Sequence, residues 1–129
     1  MSINRALFSS LSGDWTTPKG LYKDLDKEFH FTFDPCPTNP TFDGLEVKWG
    51  SSNFVNPPYG RVIHKWITRG IQESRKGNTV VFLLPARTDT KWFHEQVIPF
   101  AREIRFIRGR LKFGGSTNSA PFPSMIVVL

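Results

Sequence analysis

Cys36 is the only cysteine in 129 residues, which excludes an intrachain disulfide and a multi-cysteine zinc site. No apolar run is long enough to span a bilayer, and nothing resembles a signal peptide. Internal repeats, low-complexity tracts and long blocks of like charge are also missing. There is no phosphate-binding glycine loop and no nucleophile with a neighbouring base. His30, His64 and His94 stand at no metal-ligand spacing with one another or with Cys36, so they read as structural or exposed. These absences point to a reduced intracellular compartment, the cytoplasm, with no membrane partner and no metal. They also favour group transfer over hydrolysis.

What is present fits one compact domain over residues 1–129, with 39% hydrophobic content and no room for a separate recognition domain. Lys and Arg number 17 against 11 Asp and Glu, a net charge of +6. That balance suits a polyanion such as nucleic acid, and equally a merely soluble basic protein. Residues 1–14 are mostly small and polar and read as a loosely held arm. Thr17-Pro18 reads as an N-cap followed by a proline at the first helical position, after which Leu21, Leu25 and Phe29 recur on one helical face. His30 to Phe33 alternates polar and aromatic residues, as a strand does, and stops at Asp34-Pro35-Cys36-Pro37.

From Thr38 to Ser52 the chain is rich in Pro, Gly, Asn and Ser, with Phe42, Leu45 and Trp49 as anchors, so it reads as a loop with at most one turn of helix. A strand at Asn53 to Val55 follows. Val62, Trp66, Ile67 and Ile71 mark a helix ending near Gly77, and Thr79 to Leu84 is an apolar run typical of a strand covered on both faces. A further helix is expected from about Thr90 to Val97, then strands at Glu103 to Ile107 and Met125 to Leu129, joined through Gly114-Gly115. Alternating strands and helices predict an α/β fold with a mostly parallel sheet, the last two strands pairing antiparallel at one edge.

Asn56-Pro57-Pro58-Tyr59 is the most informative stretch, because it lies where a buried strand ends, the edge at which open α/β sheets hold ligands. An exocyclic amine on a base is a poor nucleophile, its lone pair being delocalised into the ring. A catalyst must hold the amine hydrogens out of that geometry with two acceptors, and the Asn56 side-chain carbonyl and the Pro57 backbone carbonyl can supply them. The proline pair fixes the backbone, and Tyr59 can stack on a base swung out of the duplex. The plainer alternative is a rigid turn that ends strand pairing, yet at average residue usage this tetrapeptide arises by chance in fewer than about one chain in a thousand of this length.

On that loop the chain resembles the Asn-Pro-Pro-Tyr amino-methyltransferases, and more narrowly the phage-type DNA N6-adenine methyltransferase family. The resemblance runs through Asp14 to Pro18, Phe31 to Cys36, Asp43 to Leu45, Asn56 to Gly60, Leu84 to Thr90, Arg108 to Phe113 and Ala120 to Ser124. It implies a shortened Rossmann-like sheet, S-adenosylmethionine as methyl donor and DNA as partner. Trp15, Thr16, Thr17 and Pro18 resemble the family's amino-terminal donor-binding segment, where a hydroxyl and the positive end of a helix hold the methionine carboxylate. Asp34, Pro35 and Cys36 resemble the loop after the first strand, whose carboxylate would sit near the donor's ammonium group. The alternative for both is a plain helix cap and a proline-rich strand exit.

One departure stands out. Between Asp34 and Asn56 a full methyltransferase sheet would place two more strands and their helices, including an acidic residue for the donor ribose, and this chain has no room for them. Asp43 is the candidate for the ribose or adenine side, with a turn-forming Asp before Gly44 as the alternative. A partly exposed donor, or one completed by a second copy of the chain in a homo-oligomer, would follow. Arg87, Lys91, Arg108, Arg110 and Lys112 are candidate phosphate contacts, with Trp92, Phe113 and Phe122 near them as base-stacking surfaces. Trp92 and Phe93 read rather as core on a helix face, and single basic residues are commonly just solvated. The expected activity is methyl transfer to the exocyclic amine of a flipped adenine, with low sequence selectivity. Cytosine N4 or a protein glutamine is an alternative acceptor, and a catalytically silent DNA-binding module is the alternative of another class.

Overall fold

A computed structural model describes residues 16–115 and 117–129. The expected arm and Trp15 lie outside these residues. The first element is α1 (Lys19–Phe29), with Pro18 at its N-cap and no side-chain cap. Pro18 is extended, with ψ at 132°, so the helix starts one residue later than expected and Thr17 is not its cap. The Thr17 hydroxyl is engaged by Asn56 instead. Leu21, Tyr22, Leu25 and Phe29 pack toward the sheet, and the helix closes on His30 in the left-handed region, its N–H bonded to the Asp26 carbonyl.

The expected strand at His30 to Phe33 is reduced to a single parallel bridge, Phe33 to Asn53. The backbone N–H groups of Thr32 and Phe33 both donate to the Ser52 carbonyl, and the Thr32 hydroxyl bonds the Ser52 N–H and carbonyl. A side chain thus takes ladder positions from the backbone, and Pro35 ends the pairing.

The remaining elements are β1 (Ser52–Val55), α2 (Ile63–Arg75), β2 (Thr79–Pro85), α3 (Ile98–Phe100), β3 (Glu103–Phe106) and β4 (Ser124–Val128). The strand order is β1-β2-β4-β3. β1 and β2 pair in parallel across α2, whereas β4 is antiparallel to both β2 and β3. This corrects the expected sheet: its pairings are mostly antiparallel, and the reversed strand is interior rather than at the edge. Two physical reasons account for it. β3 and β4 are joined without a crossover helix, which forces antiparallel pairing. Every residue of β4 is buried, so it takes the inner position beside β2, while Glu103 and Arg105 of β3 suit the outer edge.

Alternation along the strands splits the core into two faces. Val55, Val80, Phe82, Leu84, Met125 and Val127 meet α2, Trp49, Phe93 and Val97 on one side. Phe54, Val81, Leu83, Ile126 and Val128 meet α1 and the segment carrying Phe113 and Phe122 on the other. Gly70 lets α2 approach β2, since a Cβ there would lie 2.5 Å from the Phe82 ring. The helix expected from Thr90 to Val97 is found over residues 91–100, its middle widened to a π-turn over Phe93–Val97 that runs on into α3. Pro99 has no N–H for the Glu95 carbonyl, and the widened turn accommodates the missing bond.

The loop between Thr38 and Ser52 is irregular apart from one turn, as its composition predicts, and it is fastened to α2. Arg69 donates to the carbonyls of Leu45 (2.9 Å) and Val47 (2.7 Å), stacks over Trp49, and pairs with Glu73 at 2.9 Å. The Glu73 side chain is only 3% exposed. Burial acts to raise its pKa, but hydrogen bonds from Arg69, Asn78 and Lys76 outweigh it and hold the carboxyl below its ordinary value. Glu73→Gln should cost about 1–3 kcal/mol in urea unfolding at pH 7. Because the folded pKa lies below the unfolded one, the gap between variant and wild type should close as pH falls through that folded value.

Candidate active site

Asn56 follows the last residue of β1, at the carboxyl end of a strand buried on both faces. Its side chain is held from two directions. Nδ2 donates to Thr17 Oγ1 at 3.1 Å, and Oδ1 accepts from the Tyr59 hydroxyl at 3.1 Å. That hydroxyl also lies 3.3 Å from the Leu83 carbonyl of β2, so its one proton can serve either acceptor. Tyr59 is therefore turned inward at its polar end, and Phe122 meets its ring edge-on at 5.6 Å. Burial, and then the nearby Cys36, push the Tyr59 phenol far above its ordinary value, so it stays protonated as a donor. A carbonyl oxygen has two lone pairs, so Asn56 Oδ1 can accept an amine hydrogen beside the Tyr59 bond, or in its place when the hydroxyl turns to Leu83.

This loop opens into a cavity of about 280 Å³, near the lower bound for small-molecule sites. The cavity gathers residues from three stretches of sequence: Thr16, Thr17, Lys19 and Tyr22 at the start of α1, Asp34 and Cys36 to Thr38 after the Phe33 bridge, and Phe54 with Asn56 to Tyr59. Eight of the residues singled out in the sequence, Thr16, Thr17, Asp34, Cys36, Asn56, Pro57, Pro58 and Tyr59, thus come together. Pro18 and Pro35 are adjacent in sequence but do not line it. Lys19, Tyr22, Pro37, Thr38 and Phe54 were not anticipated. The signal for Lys19 and Tyr22 was their place in the first turn of the helix that Thr17-Pro18 opens.

Among the described residues Asp34 is the one carboxylate lining the cavity, and its Oδ1 accepts the Cys36 N–H at 2.9 Å. Burial raises its pKa from 3.8 to about 6, with that hydrogen bond opposing. Asp43 lies elsewhere, exposed in a turn, where its carboxylate accepts the Leu45 N–H and its carbonyl the Glu46 N–H. Gly44 beside it packs so closely that a Cβ would sit 1.9 Å from the Pro35 carbonyl oxygen and 2.5 Å from the Trp66 ring. The turn thereby buttresses the Asp34-Pro35 segment from behind.

Of the residues expected at a nucleic-acid surface, Arg87, Lys91, Arg108, Arg110 and Lys112 are exposed. Arg87 lies over the Phe122 ring at 5.6 Å, and Arg110 reaches the Ala120 carbonyl at 3.3 Å. Phe113 requires correction. It is 2% exposed, because Leu111 and Phe113 alternate with Arg110 and Lys112 and turn into the core. Phe122 is likewise buried, and Trp92 packs against the other core face. His30, His64 and His94 are exposed, and His64 and His94 each meet a backbone carbonyl. No helix among the described residues is long and apolar enough to cross a membrane.

The chain is thus an α/β domain with a ligand-sized cavity at the carboxyl ends of its parallel strands, faced by an Asn-Pro-Pro-Tyr loop and one carboxylate. A family model described as DNA N-6-adenine-methyltransferase (Dam) matches residues 6–128, and the chain belongs to that family. No curated protein and no solved structure matches it.

Ionising Asp34 costs the ligand-free fold stability, since its folded pKa lies above the unfolded one. That cost sets in as pH rises from about 4 to about 6 and is complete above it. Asp34→Asn should therefore stabilise the ligand-free protein by up to about 3 kcal/mol at pH 7.5, with the gain vanishing near pH 4. Thermal unfolding of both proteins at the two pH values checks this, and a gain independent of pH would refute it.

Proposed function

We propose that the chain is a DNA methyltransferase that moves a methyl group from S-adenosylmethionine to the exocyclic amine of adenine, working from the loop at Asn56 to Tyr59. The observation that carries this reading is convergence: the amine-accepting loop, a buried carboxylate and the start of α1 all line one cavity. The fold is compatible with a shortened Rossmann-like sheet, because the Phe33 bridge, β1, β2 and β3 run in one direction and only β4 is reversed.

The cavity's lining suits the donor. Asp34 offers a carboxylate to an ammonium group, while Thr16, Thr17, Lys19 and the uncapped start of α1 offer hydroxyls and positive charge to a carboxylate. When bound, S-adenosylmethionine supplies a methyl group on a positively charged sulfur, which an amine lone pair can displace. The chain's own residues prepare that amine. Asn56 Oδ1 and the Pro57 carbonyl accept its hydrogens and turn the lone pair out of conjugation, and Thr17 and Tyr59 fix the Asn56 amide so that little entropy is lost in doing so. Tyr59 lines the cavity as a surface for the base. With the sheet shortened, the adenosine half of the donor would lie toward the cavity opening or against a second copy of the chain.

DNA is favoured over a glutamine side chain by the charge of +6 and by the exposed Arg108, Arg110 and Lys112 beside the turn at Phe113–Gly115. A cytoplasmic location follows from a substrate of intracellular DNA.

Labelled methyl from S-adenosylmethionine should reach unmodified duplex DNA and appear as N6-methyladenine on nucleoside mass analysis. Asn56→Ala should cut the rate by about 100-fold or more while leaving DNA binding unchanged. N4-methylcytosine would move the acceptor to cytosine, and absence of both transfer and donor binding would leave a silent DNA-binding module. Replacing Arg108 and Lys112 with Gln should weaken DNA binding alike on all sequences. It should also reduce the slope of log affinity against log salt by about one per lost phosphate contact, measured by fluorescence anisotropy.

A further inference from the structure

Among the described residues, three aromatic side chains reach the cavity that holds Asn56 and Asp34: Tyr22 from α1, Phe54 from β1, and Tyr59. Their packing fixes them. Tyr22 meets Phe54 edge-on, with centroids 5.2 Å apart and planes at 89°, and also contacts Phe31 at 5.5 Å. Tyr59 is anchored through its hydroxyl and against Phe122. Burial, and then the charges of Asp26 and Asp34, hold the Tyr22 phenol above its ordinary pKa, so its ring remains neutral and electron-rich. Aromatic faces attract cations most strongly where water is excluded, and a carboxylate in the same cavity adds to the same field. Lys19 is the only cation among the described lining residues, and it is exposed.

We propose that Tyr22, with Phe54 and Tyr59, forms an aromatic wall that reads the positive charge of a sulfonium donor, so that the cavity favours the charged methyl donor over its neutral demethylated product. This rests on the methyl-transfer reading. It assigns Tyr22 a role that the hydrogen-bonding groups of Asn56 and Pro57 cannot fill, because loss of the methyl group removes the charge while leaving every hydrogen-bonding group of the donor in place. Discrimination between donor and product must then come from a surface that responds to charge at sulfur.

Calorimetric titration at pH 8, where Asp34 is ionised, tests this with S-adenosylmethionine and S-adenosylhomocysteine against the wild type, Tyr22→Phe and Tyr22→Leu. The wild type should prefer the charged compound by about tenfold, and Tyr22→Phe should keep that preference. Tyr22→Leu should lose about five- to tenfold in affinity for the charged compound and less than about twofold for the neutral one. Equal affinity of the wild type for both compounds, or equal weakening of both by Tyr22→Leu, overturns the proposal. Should Tyr22→Leu not fold, the wild-type preference and its retention in Tyr22→Phe decide the matter. If neither compound binds the wild type, the methyl-transfer reading itself falls and takes this proposal with it.

Discussion

The Asn56 side chain joins three parts of the chain that are far apart in sequence. Its amide donates to Thr17 ahead of α1 and accepts from Tyr59, whose hydroxyl reaches in turn to the Leu83 carbonyl of β2. These bonds tie one face of the sheet, where α1 packs, to the exit of β1 and to the neighbouring strand. Both ends of the amide are occupied by groups anchored elsewhere, so the Asn56 carbonyl is held in one rotamer, as the proposed grip on an amine requires. Loss of Thr17 or Tyr59 would leave Asn56 present and its aim gone.

A buried carboxylate sets the opposing demand. Asp34 sits where burial raises its pKa to about 6, in a cavity lined by aromatic rings and prolines, so the fold carries an ionised group it does not fully solvate. The surroundings that hold it in place are built from stronger local bonds. Arg69 and Glu73 clasp the loop carbonyls of Leu45 and Val47, Trp49 Nε1–H bonds the Gly44 carbonyl at 2.7 Å, and Gly44 abuts Pro35. Stability is thus concentrated behind the site and withheld from it, as in other sites where charge is kept poised for a ligand.

Much of the cavity's lining was legible in the sequence, because it comes from short stretches whose residue types and order are unusual. Asn56 to Tyr59 and Asp34 to Cys36 could be read without knowing how they meet. Strand positions were also readable for Thr79 to Leu84 and Met125 to Leu129, where apolar runs leave little choice. The antiparallel pairing of the last two strands was readable as well, but the strand order was not. Which strand enters beside β2 depends on the competition between β3 and β4 for a buried slot, a comparison across the fold that no local pattern contains. The segment at His30 to Phe33 alternates as a strand should, yet a threonine hydroxyl displaces its ladder. Phe113 read as surface because of its basic neighbours, and its period-2 alternation with Arg110 and Lys112 carried the opposite message. Tyr22 escaped notice because an aromatic residue on an amphipathic helix looks like ordinary core.

The strand order has a consequence for how the domain comes together. Among the described residues β3 pairs with no strand but β4, and β4 lies between it and β2. As the chain leaves the ribosome, β1, α2 and β2 can form their parallel unit at once, but residues 103–106 have no ladder to join until residues 124–128 arrive and slide in between. The apolar flank of β2 waits through that interval as an open edge. The emerging domain is therefore most exposed to wrong partners in the moments before its central seam is closed.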